Sequence, residues 1–262
     1  MMSQTNKWKL NDLIKNLKNN KDAVVIIGDR AVKELDLFPI NEASKEVLNK
    51  KNMVRNPGEF WKYYEKNILP SKPYSKTEKE LLEMMKTGVL KTVIDLNYTG
   101  HITKSAEGMH VIQLKGDQSF YRCMSCGKEG IYTSDMLNTS TMLKCDCKGK
   151  ISPTITMFGD KYLEKNIQAV KDAIFIEDGE EVKLNTHCLI FIGVDFEEDY
   201  INELIDSYDA VKGQVTTDKD PYFTVIITDG DWASIEYYQP EFATDKDIAD
   251  SIKRLTAQIK ED

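Results

Sequence analysis

Three stretches of this chain concentrate apolar residues with no polar alternation: AVVIIGD (23–29), HCLIFIGV (187–194) and FTVIITD (223–229). A strand with one face in water alternates apolar and polar side chains, so such runs imply strands covered on both faces, as in a parallel sheet between helices. KTVIDLN (91–97) and VIQL (111–114) read as two more strands, and SIEYYQ (234–239) as a last one. The intervening segments carry helical periodicity. TEKELLEMMKTG (77–88) offers Thr77 as N-cap, Glu80 as its capping-box partner, an apolar face of Leu81, Leu82, Met84 and Met85, and Gly88 as terminator. Ile248, Ile252, Leu255 and Ile259 share one face near the end of the chain. The alternation predicts an α/β fold with a Rossmann-like, mostly parallel sheet and helices on both faces.

Residues 119–157 break this pattern with cysteines, glycines and short extended pieces, and predict a small insert. Residues 1–118 and 158–262 then form one discontinuous larger domain. Cys123 and Cys126 stand two residues apart in CMSC, and Cys145 and Cys147 one apart in KCDC. Two close cysteine pairs at this separation fit a tetrahedral zinc site with four thiolate ligands. Four thiolates leave no open coordination position, so such a zinc holds structure and does not catalyse. A zinc ribbon can also bind nucleic acid, but a formal charge of −8 over 262 residues argues against that partner. No apolar run is long enough to cross a bilayer and no signal peptide opens the chain, so the expected compartment is cytoplasmic and no membrane partner is expected. The fifth cysteine, Cys188, lies in an apolar run and reads as a buried side chain.

The order of these pieces resembles the sirtuins, NAD-dependent protein deacylases with a Rossmann-type domain and a small zinc-binding domain. EFWKYYEKNIL (59–69) and PYSKTEKELLEMMKTGVL (73–90) are similar to the helical segments ahead of the family's asparagine motif. KTVIDLNYTGH resembles TQNxDGLH, SAEGMHVIQLKG resembles AG…VxELHG, and ISPTITMFGD resembles LRPxVVxFGE; HCLIFIGVDF stands where a strand ending in GTS is usual. The resemblance implies NAD contacts at Gly28, Asn97 and Gly193.

Several positions depart from the family pattern. GDRAV keeps only Gly28 of a GAGxS loop and adds Asp29, FPIN (38–41) stands where Asp-Phe-Arg is usual, Thr99 replaces an aspartate, and Val194 and Asp195 replace Thr and Ser. The family's general base is a histidine, and here that position is Lys115. A lysine, with an ordinary pKa near ~10.4, must lose about three units to serve as a base at neutral pH. Lys115 therefore has three readings: a base, a group that binds an anion or pairs with a carboxylate in a working site, or a structural ion pair or exposed strand end. His101, in the NYTGH loop, is the other candidate base.

These departures lead to the expectation of a sirtuin-like pseudoenzyme that keeps a structural zinc and binds a protein partner or a nucleotide-like small molecule. The alternative is an NAD-dependent deacylase or ADP-ribosyltransferase in which Asn97, Lys115 or His101 carry the chemistry.

Overall fold

The computed structural model describes residues 4–37, 44–137, 141–179, 181–196, 198–217, 221–229, 232–244 and 246–261. FPIN lies outside them. The strands, in chain order, are β1 (Ala23–Ile27), β2 (Leu90–Asp95), β3 (His110–Gln113), β4 (Phe120–Cys123), β5 (Glu129–Ile131), β6 (Ile151–Pro153), β7 (Phe175–Asp178), β8 (Glu181–Leu184), β9 (Cys188–Ile192), β10 (Phe223–Ile227) and β11 (Phe242–Thr244). The helices are α1 (Gln4–Asn20), α2 (Lys50–Arg55), α3 (Pro57–Asn67), α4 (Lys76–Met85), α5 (His101–Ser105), α6 (Ser134–Leu137), α7 (Glu164–Ile174), α8 (Asp199–Val215), α9 (Trp232–Tyr238) and α10 (Ile248–Lys260). A 3-10 helix spans Asp29–Leu35.

Six strands form one parallel sheet in the order β11-β10-β9-β1-β2-β3. Every residue of β1, β9 and β10 is buried, which explains their unbroken apolar sequences. The side chains divide between two layers with the strand period of two. Ala23, Val25 and Ile27 face α1, α4 and α10 through Leu13, Leu17, Leu81, Met84, Ile252 and Leu255. Val24 and Ile26 face α7 and α8 through Val170, Ile174, Ile201, Leu204 and Tyr208. A third core holds Phe60, Trp61 and Tyr64 of α3 against Leu48, Met53, Leu137, Ile155 and Met157. It couples α2 and α3 to the smaller unit, a separate three-stranded antiparallel sheet in the order β5-β4-β6.

Two local expectations need correction. SIEYYQ falls largely in α9, not in a strand. Ile235 and Tyr238, three apart, pack on the core while Tyr237 is 75% exposed, a helical spacing that outweighs the strand preference of its aromatic residues. The capping box of α4 sits two residues earlier than Thr77 and Glu80: Ser75 Oγ accepts from Glu78 N at 2.9 Å, and Glu78 Oε2 accepts from Ser75 N at 2.7 Å. The same S/T-x-x-E pattern occurs twice in succession, and the chain enters the helix at the first.

Candidate functional site

β1 lies between β2 and β9, so the chain leaves the sheet in opposite directions on its two sides. In open α/β sheets a crevice opens at such a switch point, outside the carboxyl ends of the strands. The turn after β1 and the turn after β9 pack directly on each other there. Gly28 N donates to Ile192 O at 2.9 Å, and Arg30 N to Gly193 O at 3.0 Å. A Cβ on Gly28 would stand 2.5 Å from Gly193 O and 2.6 Å from Val194 Cα, and one on Gly193, whose φ is +56°, would stand 2.5 Å from Ala31 N. Both glycines are therefore explained by backbone crossing. Neither is among the described residues that line the adjoining cleft.

That cleft has a volume of about 880 Å³ and is walled by the 3-10 helix, the ends of β2 and β3, the loop 156–162 and the start of α8. Its charges nearly balance: Asp29, Asp36, Asp160, Glu198 and Asp199 stand with Arg30, Lys33, Lys115 and Lys161. Leu96, Met157 and Phe158 supply apolar wall.

Asn97 lines the cleft yet is only 3% exposed. Its Nδ2 donates to Gly28 O at 3.3 Å and to Asp95 Oδ1 at 3.1 Å, and its backbone N donates to the same Oδ1 at 2.9 Å. Two acceptors on Nδ2 fix the orientation of the amide. Asp95 ends β2 with no exposed surface, and its Oδ2 has no partner among the described residues. Burial pushes its carboxyl up to about 7, against the Asn97 N–H that favours the anion and with the Glu78 carboxylate reinforcing the rise.

His101 is not part of the cleft lining. It is buried behind it, Nδ1 lying 3.0 and 3.2 Å from the two oxygens of Glu78, with its ring stacked on Tyr74 at 4.5 Å. Thr99 is also buried, and its Oγ1 accepts from His101 N at 3.4 Å. Glu78, His101, Thr99 and Asp95 thus form a polar foundation under the loop that presents Asn97.

Lys115, just beyond the end of β3, lines the cleft and pairs with Glu198, Nζ lying 2.9 Å from Oε2. Sequence reasoning did not single out Glu198, which lies in an acidic stretch at the start of a helix, nor Asp95. For Asp95 a signal existed: it is the one carboxylate in a strand otherwise patterned for burial.

The four clustered cysteines meet between two tight turns. Cys123 closes β4, and the first turn is fixed by Cys123 N to Lys128 O at 2.8 Å and Gly127 N to Cys123 O at 3.0 Å. The second is fixed by Cys145 N to Gly149 O at 2.9 Å, and Lys128 bonds Asp146 across the two at 2.7 Å. The ligand sulfurs all lie within 4.8 Å of one another, with Cys123–Cys147 at 3.5 Å and Cys126–Cys145 at 3.8 Å. A tetrahedral ion with metal–sulfur bonds near 2.3 Å requires about 3.8 Å between sulfurs, so the group could hold a metal ion. The backbone N–H groups of Cys126 and then Ser125 draw the Cys123 thiol down to about 6. Cys147 is pushed up to about 12: the Gly149 N–H favours its thiolate, but proton sharing with Cys123, Cys126 and Cys145 outweighs it. Four sulfurs this close ionise together only around a cation. No helix among the described residues is long and apolar enough to cross a membrane.

Known proteins place this geometry in context. The chain is 28% identical over 127 residues to an NAD-dependent protein deacetylase of Saccharolobus solfataricus, covering 45% of this chain and 49% of that protein. It is 36% identical over 118 residues to one of Thermodesulfovibrio yellowstonii, covering 42% and 44%. These alignments span about half the length of the relatives. A solved structure described as Sir2 bound to acetylated peptide superposes with a TM-score of 0.70 at 18% identity, over 95% of this chain and 98% of the other. A Sir2 homolog–NAD complex superposes with a TM-score of 0.67 at 16% identity, over 95% and 93%; at such identities the likeness is one of fold. The sequence profile of the Sir2 family matches residues 34–180, more than half of the chain and the part that carries Asn97, Lys115 and all four clustered cysteines, and on that match the chain belongs to the Sir2 family.

Proposed function

We propose that this protein is an NAD-dependent protein deacylase. The observation that carries the reading is Asn97: an amide held by two acceptors on the wall of a cleft at the sheet's switch point. The cleft volume, about 880 Å³, suits a ligand of nucleotide size. In this reading Arg30 and Lys33, the latter paired with Asp229, supply positive charge toward the phosphates. Asn97 orients a polar group at the reacting end. NAD, when bound, supplies the glycosidic bond whose cleavage releases nicotinamide. Residues 119–157 form the insert, 1–118 and 158–262 the larger domain, and Cys123, Cys126, Cys145 and Cys147 hold a structural zinc.

A binding-only role is the second reading, favoured by Asp29 on the cleft wall and by the engagement of Lys115 with Glu198. One experiment separates the two. The protein is incubated with NAD and an acetyl-lysine peptide, and nicotinamide and peptide mass are followed. Equal amounts of nicotinamide and deacetylated peptide, both abolished by Asn97→Ala, are expected. Absence of nicotinamide, with ADP-ribose still raising the melting temperature at millimolar concentration, would leave the binding-only role. A peptide that gains the mass of ADP-ribose would assign a transferase.

A further inference from the structure

The start of α4 lies against both segments that Asn97 joins. On one side is the 3-10 helix that follows Gly28: Ser75 Oγ donates to Ala31 O at 3.3 Å, and Lys76 N donates to Glu34 Oε1 at 2.7 Å. On the other side is the loop that leads from Asn97 into α5: Tyr74 Oη donates to His101 O at 3.2 Å, and Glu78 pairs with the His101 ring. Glu78 is also the capping-box acid of α4, so one carboxylate holds both the helix start and the imidazole. The pair is closed to solvent, the two side chains being 1% and 6% exposed. An ionised carboxylate only accepts, so Nδ1 carries the proton between them.

Asn97 spans the same two segments from the cleft side, and its bond to Gly28 O, at 3.3 Å, is a long one. Such a bond keeps its geometry only if the backbone on each side is held elsewhere. Between Asn97 and His101 the chain has little slack: Thr99 Oγ1 accepts from His101 N at 3.4 Å, and Gly100 lies so close to Asp117 that a Cβ would stand 2.0 Å from Oδ2. A shift of the His101 ring is therefore passed to Asn97. We infer that Glu78, acting through His101, is a positioning residue for Asn97 and fixes from behind the amide that faces the cleft. Neither Glu78 nor His101 lines that cleft, so neither is assigned a contact with ligand. The inference rests on the reading that Asn97 orients the reacting end of an NAD-type nucleotide.

The test uses the full chain and follows nicotinamide release from NAD with saturating acetyl-lysine peptide, at a temperature where circular dichroism shows each variant fully folded. His101→Leu keeps similar bulk and removes the donor, and Glu78→Ala removes the acceptor. Each is expected to lower kcat at least roughly tenfold, since a misplacement of about 1 Å near a reacting centre can cost more. The KM for NAD should stay within about twofold, because the rest of the nucleotide is held elsewhere. The double variant should lose no more than the weaker single one, as expected for two residues that act as a unit. His101→Asn, whose amide nitrogen takes the place of Nδ1, should keep kcat within about threefold of the wild type. Met84→Ala destabilises the same helix from its core face and should leave kcat unchanged once folded. Either single variant carries the test alone if the other does not fold. An unchanged kcat in either folded variant, or a loss shared by His101→Asn or Met84→Ala, would overturn the inference and leave the deacylase reading standing. A wild type that releases no nicotinamide would overturn both.

Discussion

Asp95 gives the most direct test of how the asparagine loop is built. The carboxylate is fully buried, accepts twice from Asn97 through one oxygen, and has no partner on the other. Its carboxyl is pushed from an ordinary 3.8 to about 7. Between those values the folded chain holds a proton that the unfolded chain has lost. Stability from this group is therefore fully present below about pH 4, falls as pH rises, and levels off above pH 7. A gap of about three units, at about 1.36 kcal/mol each, sets a ceiling of about 4 kcal/mol. Asn in this position stays neutral at every pH, and its amide oxygen can still accept from Asn97. Asp95→Asn should thus match the wild type only below about pH 4, be more stable already by about 1–2 kcal/mol at pH 5, and by about 2–4 kcal/mol at pH 8. Urea unfolding of both proteins at pH 5, 6, 7 and 8 reads the difference, and groups common to the two cancel. A difference that stays constant with pH, or a variant less stable at pH 8, would show that folding does not raise the Asp95 carboxyl and would refute the reasoning.

Two further perturbations follow from the geometry. Gly28→Ala drives a methyl into Gly193 O and Val194 Cα, both backbone atoms that cannot swing away; a loss of about 2–4 kcal/mol is expected, and a melting temperature within 1 °C of the wild type (about 0.5 kcal/mol or less) would mean that the two turns part easily. The purified protein should carry about one zinc per chain, the stoichiometry of a closed four-thiolate site. Cys145→Ser should lose it as read by elemental analysis, and folded wild-type protein free of zinc would refute the assignment.

The parts of the fold that were legible in the sequence are those governed by burial on both faces. β1, β9 and β10 announce themselves because a strand between two helical layers has no solvent side. Short amphipathic segments are different, since period and propensity disagree over six residues, and SIEYYQ went to the helix once Ile235 and Tyr238 found the core. The cysteine group was legible because its ligands come in close pairs, so local spacing carries most of the geometry. Glu198 was not, because its meeting with Lys115 depends on where the sheet order places the end of β3 relative to the start of α8.

The same distinction governs how the departures from the family pattern should be weighed. Along the sequence, Asp29, Thr99, Lys115 and Asp195 look like four separate losses bearing on one anionic ligand. In space they do not act on one point. Thr99 is buried and bonded within its own loop, and Asp195 is not among the described residues lining the cleft. Lys115 is paired with the Glu198 carboxylate. Asp29 alone faces the cleft as an added negative charge, and it does so beside Arg30 and Lys33. Charges separated by more than about a Debye length, 8 Å at physiological salt, are largely screened when exposed, so a count of new carboxylates overstates the field at any ligand atom. What the cleft has changed is local: at the position where the resemblance places the family's histidine, Lys115 is engaged with Glu198 on the cleft wall.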